Sequence, residues 1–114
     1  MTVYIDDMYL YPAGRFRRMK MSHMIADAPA ELLAMADRIG LARKWLQHPG
    51  TPNEHFDVSQ WKREEAIAAG AVPITWRQTG AMCMLRRMGL PMGDPATAWD
   101  RFSAASGARK APQS

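Results

Sequence analysis

Apolar and polar positions along this chain switch between two periods. Thr2-Val3-Tyr4-Ile5 is β-branched and aromatic, and reads as a strand that stops at Asp6-Asp7. Met8 to Lys20 has no period; Pro12, Gly14 and a group of basic residues make it a loop. Met21 to Ala26 is a second short strand. Leu32, Met35, Ala36 and Ile39 then recur at helical spacing and define one buried stripe. Asp27 offers this helix an N-cap oxygen and Pro29 suits its first turn. Glu31 complements its dipole, and Gly40 is the expected stop.

The second half repeats the alternation. Arg43 to Gln47 is a strand candidate around Trp45-Leu46, and His48 to Glu54, with its prolines and glycine, is a loop. His55-Phe56-Asp57-Val58 leads into Ser59, a cap for a helix from Gln60 to Ala69 that Gly70 ends. Ala71 to Trp76 reads as a strand, and Pro73, which cannot donate to a ladder, places it at an edge or a bulge. Thr79 caps a last helix through Met88, stopped by Gly89 and Pro91. Asp94 to Arg101 offers one or two more turns around Trp99 and Phe102, and Ser103 to Ser114 reads as a loose tail. The order β-β-α-β-α-β-α predicts an α/β fold. It is a single small domain of two or three layers over a mainly parallel four-stranded sheet with right-handed crossovers. Residues 1–90 form that domain, and residues 91–114 are a C-terminal extension, partly helical and then flexible.

Composition narrows the class. A chain of 114 residues, 47% hydrophobic and 23% charged, has the balance of one globular domain rather than of a disordered chain. A core of this size is modest, which favours a homo-oligomer. Ten Met and four Trp suit either adaptable core packing or a sticky binding surface. Cys83 is the one cysteine, so an internal disulfide and a cysteine-built metal site are excluded. Its apolar neighbours Met82, Met84 and Leu85 point to an inert buried thiol. Asp6 and Asp7 interrupt the apolar start as no secretory signal would, and no apolar run approaches a bilayer span. The expected setting is the cytoplasm of a bacterium or of a phage-infected cell.

Charge and spacing nominate the chemistry. The net charge of +4 is concentrated at Arg15, Arg17, Arg18 and Lys20, with Arg86 and Arg87 near the end of the folded part. Such clusters are either simply solvated or bind phosphate. In a parallel sheet, ligands gather at the carboxyl ends of the strands. There the chain offers Asp6 and Asp7, then Asp27, then His55 and Asp57, then Arg77 and Gln78. The segment from Ile5 to Met21 lacks a helical pattern, so the first two strands are either parallel or antiparallel. In the second case Asp6 and Asp7 lie on the opposite edge, and the rim keeps Asp27, His55, Asp57 and Arg77.

Asp6, Asp7 and Asp27 are candidate ligands for a divalent cation such as magnesium, or with Asp57 orient the basic ligand-binding groups; capping or loop anchoring is the simpler role. His55 stands two residues before Asp57, so in extended chain both point the same way. An Asp that orients an imidazole suits a general base or a phosphate ligand, and a helix-entry turn explains Asp57 equally well. His23, inside a strand, is a ligand candidate, with a satisfied structural histidine as the simpler role. Lys62 and Arg63 lie in the first turns of a helix, near its buried face, where the dipole disfavours cations. Each therefore needs a partner: Asp57, Glu31 or a bound anion. Glycine-rich phosphate loops, zinc spacings and serine elbows are absent.

Several of these segments carry a resemblance. Val3-Tyr4-Ile5-Asp6-Asp7, Ser22-His23-Met24-Ile25-Ala26-Asp27, Glu31-Leu32, and His55-Phe56-Asp57-Val58 with Gly70-Ala71 together resemble a family of short bacterial and phage proteins, domain of unknown function 4031. The resemblance spans about residues 2–78, and Phe56 stands where the family pattern has Tyr. It implies a single domain in a bacterial or phage setting and carries no activity with it. The expected function is binding of a phosphate-bearing ligand, a nucleotide or nucleic acid, through Arg15, His23, His55, Lys62 and Arg63. Its enzymatic form is a metal-assisted phosphoesterase with His55 and Asp57 as catalytic candidates. The alternative is a non-enzymatic protein-interaction module, such as a phage accessory factor, docking through Met- and Trp-rich surface or the Trp99–Phe102 tail.

Overall fold

At the centre of the molecule lies a strand with partners on both edges. The computed structural model describes residues 2–110, with side chains through residue 107. The first strands are β1 (Val3–Ile5), β2 (Arg15–Phe16) and β3 (Met19–Ala26). β4 (Phe56–Ser59) and β5 (Val72–Pro73) complete the sheet. Met24 pairs with Ile5 of β1 and with Phe56 of β4, so β3 runs between them, antiparallel to both. β5 joins β1 in parallel and forms an outer edge, where Pro73 needs no ladder donor. β2 hairpins onto the start of β3.

This corrects the expectation of a mainly parallel four-stranded sheet. The sheet has five strands, is mostly antiparallel, and contains one parallel pair, β1 with β5. The reason lies in the connection from Ile5 to Met19. Two 3₁₀ turns, Met8–Leu10 and Pro12–Gly14, and the β2 hairpin occupy it. A parallel crossover needs a dozen or more residues, usually a helix, to return the chain to the same end of the sheet. The third strand is also displaced: Arg43–Trp45 is a 3₁₀ turn, and Gln47 contributes only an isolated bridge to His55. The ladder falls instead on Phe56–Ser59.

Alternation along the strands builds three layers. Val3, Ile5, Met24, Ala26, Phe56 and Val58 face α1 (Pro29–Arg38) and α2 (Gln60–Ala68) in one core cluster. Tyr4 and Ile25 face the other way, toward Ala81, Met82 and Leu85 of α3 (Trp76–Arg87). The helices confirm Pro29, Glu31, the Leu32–Ile39 stripe and the Ser59 cap, whose Oγ accepts from the Lys62 N–H. Two expected caps move. Asp27 accepts from the Thr2 N–H across the β1–β3 pair, leaving Ala28 at the N-cap of α1. Thr75, in a capping box with Gln78, starts α3, which puts Thr79 one turn inside it.

The segment after Gly89 continues the fold as far as it is described. α4 (Ala98–Lys110) replaces both the one or two turns and most of the expected loose tail; residues 111–114 lie outside the described residues. Ala98 is fully buried, and Trp99 and Phe102 pack against the α3 cluster. Trp99 Nε1 donates to the Arg77 carbonyl, and Arg101 donates to the carbonyls of Pro91, Met92 and Asp94. Among the described residues no helix is long and apolar enough to cross a membrane.

Candidate metal centre

On the α3 face, the sheet turns from apolar to polar as it leaves the helix. Period-two alternation puts Asp6 beyond Tyr4, His23 beyond Ile25, and Asp57 on the same side. His23 and Asp57 are direct partners in the β3–β4 ladder, and His55 precedes Phe56 at the strand entry. The Gln47–His55 bridge closes the neck of the loop between them, within which Glu54 is buried and accepts from the Gly50 N–H.

Three side chains converge here. Asp57 Oδ1 lies 3.3 Å from His55 Nε2 and 3.8 Å from His23 Nε2. One donor atom from each of His23, His55 and Asp57 falls within 4.8 Å of the other two, the dimension of a mononuclear metal site. The two imidazoles meet edge to face, with centroids 4.9 Å apart.

Each member has its own anchor behind it. His23 Nδ1 donates to Asp6 Oδ2 at 2.9 Å, and His55 Nδ1 donates to the Asn53 carbonyl at 2.6 Å. Gln47 Nε2 donates to the outer oxygen of Asp57. With both Nδ1 atoms donating, each Nε2 points to the centre: in the neutral ring it offers a lone pair, as metal-ligating histidines do, and in the protonated His55 ring it donates to Asp57 Oδ1 instead. Asp6 is fully buried, and its Oδ1 accepts from the backbone N–H groups of Met8 and His23.

Electrostatics follow this packing. Burial works against a charged His55, but the Asp57 hydrogen bond, the Asn53 carbonyl and the negative charges of Asp57 and Asp6 outweigh it, so its pKa is raised. Burial works against an ionised Asp57 as well; the hydrogen bonds from His55 and Gln47 and the positive charge of His55 and His23 reverse that, lowering its pKa.

Two clefts flank the trio. The larger, about 550 Å³, is lined by Asp57, Gln47, Arg15, Phe16, Trp45 and Lys62 together with methionines. The smaller, about 230 Å³, lies against His23 and His55 and is walled by His48, Trp76, Thr79 and Cys83. Both Nε2 atoms are turned toward Asp57, the one member of the trio that lines the larger cleft; the two histidines line the smaller one.

The remaining nominated residues are held elsewhere. Asp7 Oδ1 accepts from the Trp76 N–H at the start of α3, and Asp27 sits across the sheet beside Thr2. Lys62 Nζ donates to the Ile39 carbonyl at the end of α1, and stands 3.8 Å from Glu65. Arg63 Nε donates to the Asp6 carbonyl, and its guanidinium covers the Tyr9 ring. The cations near the start of α2 thus have protein partners. Arg15 is exposed on β2 and lines the larger cleft. Gln47 and Asn53 were missed by sequence reasoning, because each depends on which strands and loops meet; Asp6 orients His23, one of the two roles expected of it.

Antiparallel pairing was expected to leave Asp6 apart from His55 and Asp57 and to keep Asp27 with them. The reverse holds. β4 is antiparallel to β3 as well, so the start of β3 lies between the end of β1 and β4, and His23 joins Asp6 to Asp57.

The fold and site define a small α/β domain with a mixed sheet and a two-histidine, one-carboxylate cluster at its polar end. The chain belongs to the family described as protein of unknown function DUF4031, whose match covers residues 3–87. That span contains the whole cluster and all five strands and stops at the last residue of α3, so α4 lies outside it. Comparisons with curated proteins and with solved structures return no match.

Proposed function

We propose that this domain holds a divalent transition-metal ion at His23, His55 and Asp57, and acts with it on a phosphate-bearing ligand as a metal-assisted phosphoesterase. The carrying observation is the convergence of three donor atoms within 4.8 Å, each residue anchored from behind by Asp6, Asn53 or Gln47. Two imidazoles and one carboxylate suit zinc, iron or manganese, whereas magnesium prefers oxygen donors. Three protein ligands leave a coordination position open, the arrangement of catalytic rather than structural zinc.

An ion there would polarise a phosphoryl oxygen and lower the pKa of a coordinated water. Hydrolysis would then form a bond from the water oxygen to phosphorus, break the ester P–O bond, and release the alcohol carrying a proton. Arg15, at the edge of the adjoining cleft, supplies positive charge for the phosphate.

Zinc titration against a chromogenic chelator tests the reading. Wild type takes up one equivalent, and His55→Ala and Asp57→Ala take up none. The zinc-loaded protein turns over p-nitrophenyl phosphate, and the two variants do not. Zinc uptake that survives both substitutions rejects the centre; stoichiometric zinc without turnover rejects the esterase.

A further inference from the structure

We propose that the larger cleft seats a nucleobase, so that the ligand of the metal centre is a single nucleotide. This rests on the reading of His23, His55 and Asp57 as a metal centre. It adds the part of the molecule that the metal does not touch.

The cleft reaches the centre at Asp57, the one donor residue that lines it. Asp57 and its partner Gln47 form one wall, so a phosphate at the ion would leave the rest of its molecule in this space. A volume of about 550 Å³ is that of a small-ligand pocket rather than of a channel for a polymer.

The far walls are flat and polarizable. Phe16 on β2 and Trp45 in the Arg43–Trp45 turn contribute aromatic rings, and Met8, Met19 and Met21 contribute thioethers, which favour contact with aromatic rings. Phe16 and Trp45 are 60% and 59% exposed, so each ring keeps open surface beside the cleft. A base stacked on either ring would cover that surface, and stacking accepts any base because every base has a π face.

The mouth of the cleft has the charge that a nucleotide needs. Arg17 lies over the Phe16 ring, with its guanidinium carbon 5.6 Å from the centroid, and Lys44 lies over Trp45 at 5.1 Å. Arg15 lines the cleft itself. An acyl chain would satisfy the apolar wall but offer no negative charge to Arg15. A base joined to a phosphate meets both, and so matches the cleft from the metal outward.

The test compares three probes on the zinc-loaded full-length protein by calorimetry: adenosine 5′-monophosphate, ribose 5-phosphate and inorganic phosphate. The nucleotide is expected to bind at least tenfold more tightly than ribose 5-phosphate, and to quench tryptophan fluorescence. Trp45→Ala and Phe16→Ala should erase that preference while zinc and inorganic phosphate still bind. Both rings are exposed, so both variants keep the fold, which a thermal melt verifies. Equal binding of nucleotide and sugar phosphate by wild type overturns the proposal, as does a preference that survives both substitutions. The zinc-free protein separates the two readings. A base preference that depends on Trp45, in a protein that takes up no zinc, rejects the metal centre and supports the base seat. Zinc uptake without a base preference does the opposite.

Discussion

Asp6 grips His23 twice. One carboxylate oxygen accepts from the His23 backbone N–H and the other from its ring Nδ1, both at 2.9 Å. A fully buried carboxylate thereby fixes the strand and the imidazole of a single residue together. The ring can neither rotate nor exchange tautomers without breaking its hydrogen bond to a buried carboxylate.

Asp6→Asn tests this grip. If the amide oxygen keeps the backbone N–H groups, the amide nitrogen faces His23 Nδ1–H, donor against donor. Relief requires moving the ring proton to Nε2, the atom that should ligate. Zinc affinity is expected to fall about 10–100-fold, as for other losses of an outer-shell partner. Stability should drop by about 1–3 kcal/mol. Competitive chelator titration and urea melts read the two effects; wild-type zinc affinity in the variant would show that Asp6 does not position the ligand.

Its neighbour behaves differently. Asp7 is exposed enough to leave the core alone and accepts from the Trp76 N–H at 2.7 Å, tying β1 to the start of α3. Asp7→Ala should cost about 0.5–2 kcal/mol, the range of a lost helix cap, with zinc affinity unchanged. A loss of zinc binding as large as that of Asp6→Asn would mean that the two carboxylates act together.

How much of this could be read from the chain depends on distance along it. The α1 stripe from Leu32 to Ile39, the Ser59 cap and the His55–Asp57 pair are local patterns, and each stands in the structure. The Arg43–Gln47 strand failed because apolar content around Trp45 resembles a strand, whereas Trp45 is a surface ring in a short turn. The sheet direction failed because strand alternation with helices is shared by parallel and mixed sheets. His23, His55, Asp57 and Asp6 are each nominated by the sequence, but their convergence is not legible there. His23 lies 34 positions from Asp57 and 17 from Asp6, and only the pairing of β3 with both neighbours brings them together.

Cys83 gives a prediction in pH. Burial raises its thiol pKa, and Arg86 and Arg87 oppose that without cancelling it. The native state therefore holds its proton where the unfolded chain has released it. The associated stability is complete below the unfolded thiol value, about 8.5, and is lost as pH rises from there through the native value. Urea melts between pH 8 and 10 should show a steeper alkaline loss in wild type than in Cys83→Ala; equal slopes would contradict it. The native thiol should also react with a disulfide reagent more slowly than the unfolded one at pH 8.

Gly14 is held by space rather than by torsion. A Cβ built there would lie 2.2 Å from the Met8 carbonyl oxygen and 2.8 Å from that of Met21. Both contacts are backbone, so neither yields by a rotamer change. Gly14→Ala should destabilise by about 1–3 kcal/mol, as overpacking does, and should loosen the wall of the larger cleft. An unchanged melting temperature would mean that the 3₁₀ turns shift freely.

α4 lies beyond the family match but covers the α3 layer through Ala98, Trp99 and Phe102. Truncation after Gly89 uncovers Met82 and Leu85, and should lower the melting temperature while leaving zinc stoichiometry at one. A truncated chain with the full melting temperature would make α4 an accessory lying on an already complete domain.

The pairing of His23 with Asp57 has one more consequence. A strand slipped by a single residue presents every side chain to the opposite face. In such a chain Phe56 or Val58 would stand opposite His23, and Asp57 would point into the apolar layer beneath α1 and α2. The donor atoms come together only in the correct register, so the site is a checksum on the fold. An ion captured there would select correctly zipped molecules from misaligned ones, and metal uptake would report on folding fidelity as well as on chemistry.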